Sequence, residues 1–221
     1  MSDAPSNAGY ADEVDDLFIR YEARPAADVH VQWREFFPAP PAAVLDIGAG
    51  RGRDAAWLAS FGYHVTAAEP TDVLRDRAAI IHPDPNIIWI DDILPGIATL
   101  QARPERYDMI LMQAVWMHLS EAERADGKAN VSGLLSPGGR IFMSQRHGPI
   151  PHGRRMFDVS GEETIALASR HGLTNLYLNR GESIAAANMA RGIEWTKLVF
   201  ESPDTGCAFP NGAVRSILQR K

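Results

Sequence analysis

The sequence predicts an α/β fold, a three-layer αβα sandwich in which a mostly parallel sheet is covered by helices on both faces. Short apolar segments at 43–47, 64–68, 87–90 and 107–112 alternate with helical segments. Glycine and proline turns separate them, and this alternation is typical of parallel strands joined by crossover helices. The 221 residues have the length of one domain.

Composition excludes several classes of protein. Apolar residues make up 45% of the chain and the formal net charge is −6, which indicates a globular protein and argues against nonspecific nucleic-acid binding. No run of eighteen apolar residues is present, so no membrane span is expected. Cys207 is the single cysteine, which indicates neither a disulfide nor a cysteine metal cluster. The acidic first residues do not resemble a secretory signal, and a cytoplasmic location is expected.

Residues 1–40 are predicted to form a helical lid or cap. They hold eight acidic residues against three arginines. The apolar spacing from Val14 to Tyr21 predicts one helix, and that of 29–37 predicts a second, which ends at Pro38. Tyr10, Tyr21 and Trp33 are candidates to touch a ligand, although packing onto the sheet is favoured for Trp33.

The same signals predict the remaining elements of a domain at 41–203, which a tail at 204–221 follows. Ser120 with Glu123, and Ser160 with Glu163, are capping boxes at helix starts. The predicted helices are 54–61, 71–81, 120–135 and 160–171, and the later strands are 140–144, 173–178 and 194–201.

The most informative segment is a glycine-rich turn after the first strand. Gly48, Gly50 and Gly52 permit a tight turn with no Cβ to obstruct a ligand. A dinucleotide site has the spacing GxGxxG, and Arg53 stands here in place of its third glycine. Asp46 before the turn and Asp54 after it disfavour a phosphate and favour a cationic ligand. This contrast disfavours a nicotinamide-dependent oxidoreductase, which thermal-shift measurements with NADP would test.

Acidic residues also follow the second and third strands. Glu69 ends the second strand, where a carboxylate can accept both hydroxyls of a ribose. Asp91 and Asp92 end the third strand, and either is a candidate to accept an adenine amine, with Ile93 against the ring. Helix capping is the alternative role for both aspartates.

Together these residues resemble the class I S-adenosylmethionine-dependent methyltransferase family. The DxGxGxG motif is complete from Asp46 to Gly52, and Leu134-Leu135-Ser136-Pro137-Gly138-Gly139 is similar to the family's LxPGG turn. The resemblance covers roughly residues 42–201 and implies a Rossmann-like sheet of seven strands, the last antiparallel. It also implies S-adenosylmethionine as cofactor and no metal. The implied cofactor-binding residues are Asp46, Gly48, Ala49, Gly50, Glu69, Pro70, Asp91, Asp92, Ile93 and Gln113.

The catalytic residues are harder to predict, because methyl transfer from a sulfonium needs mainly positioning and desolvation. Gln113-Ala114-Val115-Trp116 replaces the Asn/Asp-Pro-Pro-aromatic motif of nucleobase-amine methylases, which disfavours such substrates. His118 is a candidate base, and Arg146 and His147 are candidate substrate contacts. Residues 146–155 contain three arginines and no acid, so this loop is expected to hold an anionic group, unless its arginines pair with acidic helices. Arg180 and Arg191 flank a long connection that is a further candidate for the pocket.

The sequence therefore predicts methyl transfer to an O or N nucleophile of a small, possibly anionic molecule by a monomer or homodimer. One alternative is a methyltransferase acting on RNA or protein, which a further basic surface stripe would favour. Another is a module that binds S-adenosylmethionine without catalysis, in which the pocket has no room for an acceptor.

Overall fold

A seven-stranded sheet in the order β3-β2-β1-β4-β5-β7-β6 forms the centre of the molecule. The structure is a computed structural model that describes Asn7 and residues 25–204. β7 runs antiparallel to both neighbours and the other ladders are parallel. The strands are β1 Ala43–Ile47, β2 His64–Ala68, β3 Ile87–Ile90, β4 Tyr107–Gln113, β5 Leu135–His147, β6 Thr174–Glu182 and β7 Glu194–Glu201.

Helices cover both faces of this sheet, and the predicted αβα sandwich is confirmed. The α-helices are α1 Ala26–His30, α2 Arg53–Ala59, α3 Asp72–Ile81, α4 Ala98–Gln101, α5 Glu121–Ser132, α6 Gly161–Arg170 and α7 Ala186–Met189, with 3₁₀ turns at Arg34–Phe36 and Trp116–His118. The predicted helix at 14–21, with Tyr10 and Tyr21, and the tail beyond Asp204 lie outside the described residues.

The two faces of the sheet have separate apolar cores. The cap face packs under residues 25–41 and α2, and includes Val44, Phe142 and Val199 with Trp33 and Leu58. The opposite face packs under α4, α5 and α6, whose contributions include Leu100, Val131 and Ala168. Successive residues of a strand point to alternate faces, so each strand side chain lies either on the cap face or on the opposite face of the sheet.

The cap segment, residues 25–41, differs from the predicted single helix at 29–37. Bonds from Trp33 N to His30 O, and from Phe36 N to Trp33 O, span three residues and turn the chain more tightly than an α-helix does. This turn buries both His30 and Trp33. Trp33 meets Phe142 edge-on, with ring centroids 5.8 Å apart, which confirms that it packs onto the sheet.

β5 is longer than predicted because it runs through the Pro137-Gly138-Gly139 turn. Its pairing with β4 skips from Tyr107↔Leu135 to Met109↔Arg140, so the turn forms an irregularity inside the ladder. β5 then continues to His147, three residues beyond the predicted end. The carboxyl ends of β1, β2, β3, β4 and β5 therefore lie along one edge of the sheet, where ligands bind in open α/β folds.

Candidate functional site

The glycine turn between β1 and α2 lies at this edge. The N–H groups of Gly48 and Ala49 both donate to the carbonyl oxygen of Ala68, at 2.8 and 3.0 Å, which ties the turn to the end of β2. Gly48, Gly50 and Gly52 all have positive φ. A Cβ on Gly48 would lie 2.6 Å from a methyl of Val115, whereas a Cβ on Gly50 would meet nothing closer than 4.0 Å. Gly48 is therefore required for packing, and Gly50 leaves its side of the turn open.

Asp46 is a buried carboxylate that lacks a hydrogen-bond partner at one oxygen. Its side chain points to the cap face from the end of β1, and the residue is 2% exposed. Among the described residues, Oδ2 has no hydrogen-bond partner. Burial raises the pKa of Asp46 well above its usual range, and the nearby charge of Asp54 raises it further. Such a group gains most from a cationic ligand, which both supplies a partner and stabilises the ionised form.

Glu69 holds the glycine turn and the start of α3 together. Its Oε2 accepts a bond from the N–H of Gly50 at 2.8 Å, and its Oε1 accepts one from the N–H of Thr71 at 2.9 Å. Burial raises the pKa of Glu69, although the bonds from Thr71 and Gly50 act against it. Each carboxylate oxygen can accept a second bond, so this geometry fits a carboxylate that also receives two hydroxyls.

The two aspartates after β3 have different environments. Asp92 accepts bonds from the N–H groups of Ile93 and Leu100, at 2.9 and 2.8 Å, and so caps α4. The side chain of Asp91 is 67% exposed and lies 3.4 Å from Arg75 Nη1. Asp91 is therefore the more accessible of the two for an adenine amine. Ile93 and Pro70 are half-buried at the same edge.

Gln113, at the end of β4, has a fixed amide with an unused donor. The hydroxyl of Ser144 donates to Gln113 Oε1 at 3.0 Å and accepts from the N–H of Ala114 at 3.0 Å. Gln113 Nε2 is buried and has no hydrogen-bond partner among the described residues. Ser144 was not predicted as a site residue, because its role depends on being opposite Gln113 in the ladder.

His118 joins two loops. Its Nδ1 lies 2.6 Å from the carbonyl oxygen of Arg155, in the loop after β5. Burial lowers the pKa of His118, although hydrogen bonds to the backbone of Arg155 and Ala114 oppose this. The imidazole is therefore neutral at neutral pH and has structural partners on both loops. Its role as a base stays a prediction.

Arg146 and His147 point to opposite faces of the sheet. Alternation along β5 places Arg146 on the cap face with Phe142, and therefore on the same face as Asp46. His147 is on the other face, where its Nε2 lies 2.7 Å from the hydroxyl of Thr196. Burial lowers the pKa of His147. Of the two, Arg146 has the position that suits a group bound near the glycine turn.

The basic loop and the β6–β7 connection are partly neutralised by local ion pairs. Arg155 contacts Glu123 of α5 at 2.6 and 3.1 Å, rather than an acid of the cap segment. Arg180 contacts Glu194 across the β6–β7 ladder at 2.7 Å. The pairing of Arg155 and Arg180 leaves less positive charge for a substrate than the sequence indicated.

The part of the chain that the structure describes shows neither a cluster of metal ligands nor a membrane-spanning helix, and its two surface pockets lie away from the glycine turn. No group of three metal-ligating side chains occurs within residues 25–204. No helix among these residues is long and apolar enough to cross a membrane. Two surface pockets, of about 350 and 180 Å³, lie at the amino ends of β1, β4 and β5 and beside α2. Neither includes a residue of the glycine turn.

Comparison with known families identifies the domain. Residues 45–143, which run from β1 through β5, match the family model described as a methyltransferase domain. The same residues contain the glycine turn, the acid after β2 and the buried carboxylate of Asp46. This part of the chain is therefore similar to a methyltransferase domain.

A curated protein is also similar to part of this chain. An uncharacterized methyltransferase of Geobacillus kaustophilus strain HTA426 is 32% identical over 101 residues, and the match spans 46% of this chain and 45% of that protein. The match therefore spans about half the length of that curated relative.

Two solved structures share the fold. One is 1,6-didemethyltoxoflavin-N1-methyltransferase of Burkholderia thailandensis, at 21% identity and a TM-score of 0.63, with 88% of this chain and 86% of that chain covered. The other is the N-methyltransferase NodS of Bradyrhizobium japonicum, at 18% identity and a TM-score of 0.64, with 83% and 91% covered. Both were solved with S-adenosylhomocysteine. At these identities the likeness shows the fold alone.

Proposed function

We propose that this protein transfers a methyl group from S-adenosylmethionine to an O or N nucleophile of a small molecule. The observation that carries the proposal is the buried Asp46 carboxylate, which has an unpartnered oxygen beside a turn that Gly50 leaves open. S-adenosylmethionine has a cationic ammonium and sulfonium and no phosphate. It therefore suits a site with Asp46, Asp54 and Glu69 around the turn.

Different residues of the chain would contact different parts of the cofactor. Glu69 would accept the ribose hydroxyls with the oxygens that now bond Gly50 and Thr71. Asp91, at the exposed end of β3, would accept the adenine amine, with Ile93 against the ring. The unused Gln113 donor lies at the end of β4, where it would contact the methionine part or the acceptor.

Catalysis in this proposal depends on positioning and on exclusion of water. When bound, the cofactor supplies a methyl group already activated by its sulfonium. Arg146, on the cap face, would orient a carboxylate or phosphate of the acceptor. Proton removal is needed only for a nucleophile of high pKa, and His118, neutral at neutral pH, would be available for it if its loop contacts opened.

The N-terminal residues would act as the lid of this site. Asn7 Nδ2 lies 3.4 Å from the hydroxyl of Thr71, whose N–H bonds the Glu69 carboxylate. The cap segment at 25–41 covers the neighbouring sheet face. A contact of Asn7 beside Glu69 supports a lid role that excludes water from the reaction.

Calorimetry on carboxylate variants tests the cofactor site. Asp46→Asn and Glu69→Gln should each weaken S-adenosylmethionine binding by about tenfold or more, or about 1.4 kcal/mol. Glu105→Gln is the matched control, because Glu105 contacts Arg103 in the loop before β4, at the opposite edge of the sheet from the glycine turn. Unchanged affinity in both site variants would refute the assignment.

A second experiment tests the acceptor. Purified protein with S-adenosylmethionine is screened against small metabolites for release of S-adenosylhomocysteine. Arg146→Ala should then lower turnover with an anionic acceptor and leave cofactor affinity within about twofold. Cofactor binding without turnover on any small molecule, together with activity on RNA or protein, would redirect the proposal to a macromolecular substrate.

A further inference from the structure

His30 lies in the centre of the contact between the cap segment and the glycine turn. It is fully buried, and its ring stacks on Trp57 of α2 with centroids 5.2 Å apart and planes 9° apart. Trp33 lies at the edge of the imidazole, with ring centroids 5.9 Å apart and a bond from its Nε1 to His30 Nδ1. Stacking on Trp57 and the bond from Trp33 leave the imidazole little freedom to rotate, so the directions of its two nitrogens are fixed.

The protonation pattern of this ring follows from its neighbours. Trp33 Nε1 lies 2.9 Å from His30 Nδ1, and an indole N–H can only donate. Nδ1 must therefore be the unprotonated nitrogen, and the proton of the neutral ring is on Nε2. That nitrogen lies 3.2 Å from Asp54 Oδ1, which is within ion-pair distance, although the pair does not have hydrogen-bond geometry. Trp33 thus selects the tautomer whose N–H is on the nitrogen nearest Asp54.

Asp54 is the second residue of α2, which begins directly after the glycine turn. It is 6% exposed, and Arg53 contacts both of its oxygens, at 2.9 and 2.8 Å. Burial alone would raise the pKa of Asp54, but His30 and Arg53 outweigh burial, and this pKa falls below its usual range. The turn is therefore fixed at one end by β1 and at the other by an ionised, fully contacted Asp54.

We propose that His30 is a positioning residue for the cofactor: through Nε2 it holds Asp54, and so holds the glycine turn in the shape that receives S-adenosylmethionine. His30 touches no part of the cofactor in this arrangement. Trp33 contributes to the same role. Without its indole N–H, the His30 imidazole can present an unprotonated nitrogen to Asp54. This inference rests on the proposed function, since it concerns the same cofactor site.

A positioning role differs from simple attachment of the cap segment. Tyr63 also anchors this segment, through a bond of 2.6 Å from its hydroxyl to the carbonyl oxygen of Pro38. That bond is made on the far side of α2 from the glycine turn, in the surface pocket beside Phe61. Tyr63→Phe therefore removes an anchor of the cap segment while leaving the contact with Asp54 in place.

The test is calorimetry of S-adenosylhomocysteine binding, with thermal unfolding of each ligand-free variant. His30→Ala should raise Kd by about fivefold or more, and Trp33→Phe by about threefold. His30→Gln, whose amide nitrogen replaces the Nε2 donor, should restore Kd to within about twofold of the wild type. Tyr63→Phe should lower the unfolding temperature and leave Kd within about twofold.

Each outcome decides the inference. It is overturned if His30→Ala binds as the wild type does, or if Tyr63→Phe loses as much affinity as His30→Ala. Should His30→Ala not fold, Trp33→Phe decides alone, because it keeps a ring in the same place, and unchanged affinity would refute the role. Failure of the wild type to bind S-adenosylhomocysteine would refute the proposed function itself, which distinguishes the two results.

Discussion

The two halves of the sheet satisfy their polar groups in different ways. In the cofactor half, β1 to β3, the glycine turn is open at Gly50 and Asp46 has a buried oxygen without a partner. In the acceptor half, β4 to β7, the charged candidates Arg155, His147 and Arg180 each have a partner within the protein, and among the described residues the amide nitrogen of Gln113 is a buried group without one that faces the site. An unsatisfied buried group indicates a ligand more directly than a charged group that is already paired. The cofactor is therefore much better defined than the acceptor.

Substitution of Gly48 should have the largest effect, because this glycine of the cofactor half packs closely against Val115 of the acceptor half. Gly48→Ala places a Cβ 2.6 Å from a methyl of Val115, at a φ of +72°. Left-handed strain and overpacking together should cost about 2–4 kcal/mol of unfolding free energy, measured by urea denaturation.

Two further variants sharpen this result. Gly50→Ala carries the backbone strain without the clash, and should cost only about 1–2 kcal/mol. Gly48→Ala combined with Val115→Ala should recover about 1 kcal/mol or more relative to Gly48→Ala alone. Equal losses of unfolding free energy in Gly48→Ala and Gly50→Ala would show that the close contact between Gly48 and Val115 is unimportant.

The sequence predicts the cofactor half of the sheet better than the acceptor half. The bounds of β1, β2 and β3 agree with the predicted 43–47, 64–68 and 87–90, because each is a short apolar run between turns. The glycine turn and Glu69 were also placed at one edge, since the chemistry of the site requires fixed residue types at strand ends.

The acceptor half was less predictable for a physical reason. The partner of Gln113 is Ser144, and that of Arg155 is Glu123, 32 residues away in the chain. Neither pairing leaves a local pattern in the sequence. The bond from Trp33 to His30 is local, but its consequence for Asp54 appears only after the cap segment folds onto α2.

In the acceptor half, Lys128→Met should stabilise the protein. Lys128 on α5 is 1% exposed, lies 4.3 Å from the ring centroid of Phe200, and has a pKa lowered to about 7 by burial. Methionine fills a similar volume without a charge, so unfolding free energy at pH 6 should rise by about 1–3 kcal/mol.

The sign of the pH dependence follows from that lowered pKa. The unfolded chain binds more protons between pH 7 and 10.5, so the wild type gains stability over this range. The advantage of Lys128→Met should therefore shrink from pH 7 toward pH 10. Lys197→Met is the control; it should not stabilise, because Lys197 Nζ donates to the carbonyl oxygen of Val29 at 2.7 Å. A loss of stability in Lys128→Met would contradict the prediction.

In the cofactor half, Asp46→Asn should stabilise the ligand-free protein while it weakens cofactor binding. Because the pKa of Asp46 is raised in the folded state, the folded state binds more protons than the unfolded state at pH values above the ordinary pKa of an aspartate. Wild-type stability therefore falls as pH rises through this region, and the amide removes that loss. The gain should be about 1 kcal/mol at pH 8, measured by thermal unfolding, and smaller at pH 4. A variant that is less stable than the wild type at pH 8 would show that Asp46 has a structural partner.

The smallest effect is expected for Glu123→Gln, which removes a paired group of the acceptor half. Hydrogen bonds from Arg155 lower the pKa of Glu123 to about 2, so its ion pair stabilises the protein above pH 4.5, and this contribution is lost as pH falls from 4.5 toward 2. The side chain is 30% exposed, so solvent screening limits the loss at pH 7 to about 1 kcal/mol or less.

Glu121→Gln on the same first turn of α5 is the control, and should change stability by less than about 0.5 kcal/mol. Because the pair is satisfied within the acceptor half, S-adenosylhomocysteine affinity should stay within about twofold in both variants. A tenfold loss of affinity in Glu123→Gln alone would mean that the Arg155 loop reaches the cofactor, and that the two halves are not separate in function.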